Sequence, residues 1–119
     1  MKRRSFPESM ASAVSGLIMI VRSERNMKIH LLAAFLASTL GLLLDIDRME
    51  WGLLALTIFL VLIAEAVNTA LERVVDLVTS EYHPLARAAK NAAAGAVLLS
   101  AINALIMAFI IFGPYLGLS

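Results

Sequence analysis

From Asn91 to the C-terminal Ser119 the chain carries no Asp, Glu, Lys or Arg. That run exceeds the roughly 20 residues with which an α-helix crosses a bilayer. The rest of the chain is consistent with this constraint. Hydrophobic residues make up 61% of its 119 residues and charged residues 16%, against about 25% charged in an ordinary soluble domain. Disorder is excluded, a soluble fold is disfavoured, and a small polytopic membrane protein with one domain over residues 1–119 is the starting expectation. Cysteine is absent, so disulfides and thiolate metal sites are excluded.

Three apolar blocks are bounded by charge or by turn signals, which predicts an all-α membrane protein with spans at about 28–44, 51–78 and 91–112. Asp45, Ile46 and Asp47 end the first block, and the acidic segment Asp45 to Glu50 reads as a tight connection to the second. Gly113 and Pro114 stop the third. Nine of the ten Lys and Arg residues sit on one side, in the N-terminal segment up to the start of the first span or around the connection of the second and third, with only Arg48 on the other. Because positive residues stay on the cytoplasmic side, the N-terminus and the second loop are expected inside, the first loop and the C-terminus outside, in a multi-pass protein of the cell membrane.

Before the first span, Met10, Ala13, Val14, Leu17, Ile18 and Val21 recur at helical spacing. This predicts an amphipathic helix over about 7–23 lying in the membrane surface. A signal peptide is the competing reading. Pro7 and Glu8 interrupt it, and no small-residue cleavage site follows Val21. In the third block Ala92, Ala96, Ser100, Ala104 and Ala108 stand at strict four-residue spacing, which predicts close packing of helix backbones.

The second block continues without a helix breaker into Glu65-Ala-Val-Asn68-Thr69-Ala-Leu-Glu72-Arg73-Val-Val-Asp76. On a helix Glu65, Asn68, Thr69, Glu72 and Asp76 share one stripe, while Val67, Leu71 and Val74 point elsewhere. With Trp51 at the outer interface, Glu65 lies roughly 21 Å in and Glu72 roughly 31 Å in. The hydrocarbon core is about 30 Å thick. A carboxylate at that depth costs about 2.5 kcal/mol or more and marks function. Its bland counterpart is a hydrogen-bonded Glu that glues helices together.

A deep carboxylate can accept a proton from a buried hydroxyl. A shallower one can hold a divalent cation together with a phosphate, since Mg²⁺ prefers such oxygens. Glu24, flanked by Arg22 and Arg25, is a candidate second carboxylate. The loop from Glu81 through Tyr82 and His83 to Arg87 and Lys90 adds an aromatic ring, a histidine and two cations. No G-x-x-x-x-G-K-[ST] loop is present, so a nucleotide is not held in the P-loop way.

These residues resemble the small bacterial integral-membrane diacylglycerol kinases and their Gram-positive relatives, the undecaprenol kinases. The resemblance is carried by Glu65-x-x-Asn68-Thr69-Ala70-Leu71-Glu72-x-x-Val75-Asp76, and by Glu24-Arg25-Asn26-Met27-Lys28-Ile29-His30. Ser80-Glu81-Tyr82-His83, and Ala89-Lys90 leading into Ala93-Ala94-Gly95-Ala96-Val97, add to it. Glu-Arg-Asn followed by Ile-His is more similar to the Gram-positive branch, which favours undecaprenol as substrate.

The resemblance implies a homotrimer whose active sites are shared between neighbours near the cytoplasmic surface, using ATP and Mg²⁺. By position it makes Glu65 the general base and Glu24 and Glu72 the metal carboxylates. It assigns Glu72, Glu81, Tyr82, His83, Lys90 and Asn91 to the nucleotide, with Asn68 and Asp76 in support. Asn91 stands where the family usually has Asp, which removes one negative charge beside the nucleotide. The function expected is phosphorylation of the primary hydroxyl of undecaprenol. Diacylglycerol as substrate is the first alternative and a non-catalytic membrane scaffold the second; no nucleic acid is implied.

Overall fold

The computed structural model describes residues 3–118, so Lys2, which entered the charge argument, and Ser119 lie outside the described residues. Four α-helices follow one another: α1 (Phe6–Ser23), α2 (Arg25–Leu44), α3 (Arg48–Val78) and α4 (Pro84–Phe112). A 3₁₀ turn over Pro114–Leu116 closes the chain. The last three helices are long and apolar enough to cross a membrane. The protein is thus all-α with three membrane-spanning helices.

Every helix extends beyond its predicted limits at the N-terminal end. Span α2 starts at Arg25 rather than 28, α3 at Arg48 rather than 51, α4 at Pro84 rather than 91, and α1 at Phe6 rather than 7. Hydropathy falls at the membrane surface, whereas a helix ends where its backbone hydrogen bonds are capped. Asp47 caps α3 by accepting from Glu50 N, and the Glu50 carboxylate accepts from Asp47 N in return. This capping box makes Glu50 part of the first turn rather than part of the connection. His83 Nδ1 accepts from Leu85 N and starts α4, with Pro84 following it in the first turn.

The α2–α3 connection is only three residues long because Asp45 adopts a left-handed conformation at φ 54° and caps α2, a geometry Asp tolerates. Gly41 is buried beneath it. A Cβ there would sit 2.9 Å from the Trp51 ring, so the missing side chain lets Trp51 pack onto α2. Ile46, Leu54, Ile111 and Phe112 form a buried cluster at this end, with Trp51 and Met107 packed against it.

Helix α3 is the central element: 28% of its spanning window is buried, against 11% for α2 and 17% for α4. Its longest partnership is with α4. On α4 Ser100 is buried and Ala93, Val97, Ala104 and Met107 half-buried, while Ala92, Ala96 and Ala108 of the predicted small-residue stripe are exposed. The cause is geometric: each four-residue step overshoots a full turn by about 40°, so a strict four-residue row winds around the helix.

The amphipathic α1 leaves Met10, Val14, Leu17 and Ile18 exposed, as a helix set into a membrane surface requires. It is capped by Ser5, which accepts from Glu8 N, with Pro7 in the first turn. Buried Ile20 and an α3 arginine fasten its other end: Arg73 reaches Ser23 Oγ at 3.0 Å and Met19 Sδ at 3.1 Å.

At the opposite end Tyr115 donates a hydrogen bond to Glu50 Oε1. The carboxylate accepting that proton and its nearby charge push the Tyr115 phenol up from 10.0 to about 12. Because the folded value is raised, this latch is fully present below about pH 10 and is lost as pH rises through about 12. Absorbance titration of a Tyr82→Phe protein should therefore show Tyr115 ionising near 12, and Glu50→Gln should bring the midpoint down by a unit or more. An unshifted midpoint in Glu50→Gln contradicts the latch.

Gly113 is buried where α4 turns back, and a Cβ there would lie 2.8 Å from Leu118 O and against Phe109 O. Backbone cannot yield as a flexible side chain does, so Gly113→Ala should cost about 1–3 kcal/mol, read as a lower thermal midpoint in detergent. An unchanged midpoint refutes this account of the turn.

Candidate functional site

Helix α3 carries its polar stripe from membrane depth to the surface beyond. Glu65 is 2% exposed and Thr69 4%; Asn68 and Glu72 are half-buried, and Asp76 is exposed. Val67 and Val74, placed off the stripe, are exposed on the apolar side. A carboxylate as buried as Glu65 should be fully hydrogen-bonded in a purely structural role. Instead Glu65 Oε1 and Asn68 Oδ1, one turn apart, are both buried without a hydrogen-bond partner. His30 Nε2 of α2 lies 3.0 Å from Glu65 Oε1, but its direction is not that of a hydrogen bond.

One turn further on, Asn68 Nδ2 donates to Glu72 Oε1 at 2.8 Å. The pair leaves Asn68 Oδ1 and the second Glu72 oxygen as uncommitted oxygen donors. Mg²⁺ typically takes one or two carboxylates and fills the rest of its octahedron with water and substrate phosphates, so this donor set fits such an ion arriving with a phosphate. Glu24 sits at the break between α1 and α2, capping the first and starting the second in extended conformation. Its Oε1 faces Arg73 Nη2 at 3.5 Å. Among the described residues no group of three His, Asp or Glu side chains comes together to hold a metal, so one chain does not assemble Glu24 and Glu72 into a complete cage.

Beyond the end of α3 a polar cavity of about 360 Å³ opens between α3, the loop and the start of α4. Its walls include Asp76, Glu81, Tyr82, His83, Lys90 and Asn91, together with Arg87. Six site residues proposed from the sequence thus share one cavity. Lys90 Nζ is 2.6 Å from Asp76 Oδ1, which places the cation at the wall. Thr79 shapes the loop, since Glu81 N donates to Thr79 Oγ1 and that hydroxyl donates to Glu81 O. The cavity sets two cations, Arg87 and Lys90, and the Tyr82 ring beside two carboxylates, Asp76 and Glu81, a mixed lining in which the cations can meet phosphates and the ring can stack on a planar base.

Sequence reasoning did not assign roles to His30, Arg73 or Arg87 in the site. Arg87 and Arg73 were readable as topology signals, and nothing in the one-dimensional pattern distinguishes that from a site cation. His30 stands thirty-five positions before its partner, and only the register of α2 against α3 joins them. A second cavity, apolar and about 210 Å³, lies between α2, α3 and α4 and reaches His30. Thr57, Val61, Ala37 and Ala104 are among its walls.

Known proteins share this pattern. The family model for prokaryotic diacylglycerol kinase matches residues 11–112. An undecaprenol kinase of Bacillus subtilis is 40% identical over 111 residues, which cover 93% of this chain and 90% of the relative. A diacylglycerol kinase of a Synechocystis species is 44% identical over 100 residues, covering 83% of this chain and 57% of the relative. One from Escherichia coli is 39% identical over 85 residues, 71% and 70% of the two chains. The matched region runs from within α1 to the last residue of α4 and takes in the polar stripe of α3, the Glu24 break and the loop cavity; the chain belongs to the prokaryotic diacylglycerol kinase family.

Proposed function

We propose that this lipid kinase phosphorylates the primary hydroxyl of undecaprenol, with ATP as donor and Mg²⁺ as the accompanying ion. The observation that carries the reading is Glu65: a carboxylate buried at membrane depth with an oxygen that nothing hydrogen-bonds, on the helix that leads to the polar cavity. Kinase membership of the family sets aside a non-catalytic scaffold. Undecaprenol is favoured by the Bacillus subtilis relative, which aligns over nearly the whole of both chains. Diacylglycerol is the second reading, supported by the names of the other relatives.

The lipid lies in the bilayer with its hydroxyl beside Glu65, which accepts the proton as the oxygen attacks the γ-phosphorus. The new bond is lipid oxygen to phosphorus; the bond broken joins that phosphorus to the β-phosphate oxygen, and ADP leaves. Glu81, Tyr82, His83 and Asn91 receive the nucleotide in the loop cavity. Lys90, carried by the Asp76 carboxylate, presents its charge to the phosphates. Asn68 holds Glu72 in place. Glu72 and Glu24, with Asn68 Oδ1, are the oxygens that would hold Mg²⁺, whose chemistry is to neutralise phosphate charge. Most of the acceleration comes from positioning and charge stabilisation.

Glu24 points to Arg73 in its own chain rather than joining Glu72, and the flanks of α2 and α4 are apolar and exposed. Both features support a homotrimer in which neighbours complete each site. The basic residues at the Glu24 and loop end support a cytoplasmic N-terminus and an external C-terminus in the cell membrane.

Glu65→Gln should leave a folded oligomer whose turnover on undecaprenol falls by about 10²–10⁴-fold; near-normal turnover removes the base assignment. Glu72→Ala should abolish the Mg²⁺-dependent tightening of a non-hydrolysable ATP analogue, followed by fluorescence or calorimetry. Retained Mg²⁺ dependence contradicts the metal role of Glu72.

A further inference from the structure

His30 stands on α2, off the polar stripe, yet its imidazole lies against the proposed base: Nε2 to Glu65 Oε1 is 3.0 Å. A glutamate needs such a neighbour. Its terminal torsion is broad and roughly two-fold, and no hydrogen bond fixes Oε1 from within α3. Among the described residues His30 is the one side chain of basic type within ion-pair range of Glu65. The ring also has a second surface, since it forms part of the wall of the apolar cavity beside Ala33, Ala34 and Ala37. The imidazole therefore stands between the buried carboxylate and an apolar space at membrane depth, and the His30 side chain is itself 23% exposed.

We propose that His30 is a positioning residue for Glu65: it holds Oε1 toward α2 and so aims the second carboxylate oxygen, which takes the proton, at the hydroxyl of a lipid alcohol. The proposal rests on Glu65 being the base. The proton removed from the hydroxyl stays on Glu65, and the bonds made and broken are those of the transfer described above. The contact is short but misaligned without substrate, as catalytic hydrogen bonds often are before the reactant complex forms. Lipid binding closes it into a hydrogen bond. Its effect is large because a base misplaced by about 1 Å loses about 10²-fold in rate.

The test uses the full-length protein in detergent micelles with undecaprenol, ATP and Mg²⁺. His30→Phe keeps the bulk of the ring and should lower kcat by about 10- to 100-fold with the KM for ATP unchanged. His30→Gln, whose amide N–H can reach Oε1, should restore kcat to within a few-fold of wild type. In a Glu65→Gln background, His30→Phe should change nothing further, because a positioning residue acts only through the group it positions. Wild-type kcat in His30→Phe, an undiminished loss in the Glu65→Gln background, or no recovery in His30→Gln overturns the positioning role. If Glu65→Gln itself is near normal, the base assignment falls and the proposal with it. A strong Glu65→Gln defect beside a silent His30→Phe removes only the proposal.

Discussion

Keeping a carboxylate dry is the constraint around which this molecule is arranged. Glu65 is among the most buried side chains of the protein, alongside Ile111, although a charge at bilayer depth costs about 2.5 kcal/mol or more. Helix α3 must be flanked on more than one side for that to hold, and α2 and α4 both lie against it. The cost is not offset by saturating the oxygens, since Glu65 Oε1 and Asn68 Oδ1 have no hydrogen-bond partner. A structural glutamate would have been satisfied. A carboxylate without a fixed hydrogen-bond partner in such a site is the feature on which the proposed base role of Glu65 rests.

The two ends of the bundle divide the remaining work. At the end that carries the α2–α3 connection Asp47 and Glu50 cap α3, Gly41 admits Trp51, and Ile46, Leu54, Ile111 and Phe112 close a small apolar core. That end is built to hold the spans in register. At the other end helices stop in favour of function: Glu24 is extended between α1 and α2, and the loop from Thr79 to His83 leaves a polar cavity. Arg73 links these parts by tying α1 to α3 beside Glu24. Glu65 and the cavity thus lie along one face of a single helix, which is the arrangement the proposed transfer from a nucleotide to a lipid hydroxyl requires.

Much of this was legible in one dimension. The stripe Glu65, Asn68, Thr69, Glu72 and Asp76 needed only the 3.6-residue period, and the structure buries Glu65 and Thr69, half-buries Asn68 and Glu72 and exposes Asp76. The three spans were visible because charge clusters separate them, but their starts were not, since hydropathy ends before helix capping does. The Asp47–Glu50 box and His83-Pro84 were readable start signals. The small-residue row of α4 is met within one chain only at Ser100 and Ala104, because a strict four-residue row winds around the helix. The His30–Glu65 contact was illegible in principle, since no local pattern reports the register between two helices.

Central to this account is transfer of phosphate to a lipid alcohol at membrane depth. The most direct measurement is transfer of labelled γ-phosphate from ATP by the purified wild-type oligomer, with undecaprenol and diacylglycerol offered in competition at equal mole fraction in mixed micelles containing Mg²⁺. The account expects label in undecaprenyl phosphate in preference to phosphatidic acid. Preferential labelling of diacylglycerol would contradict the substrate assignment, and absence of label in both lipids from a folded oligomer would contradict the catalytic reading of Glu65 itself.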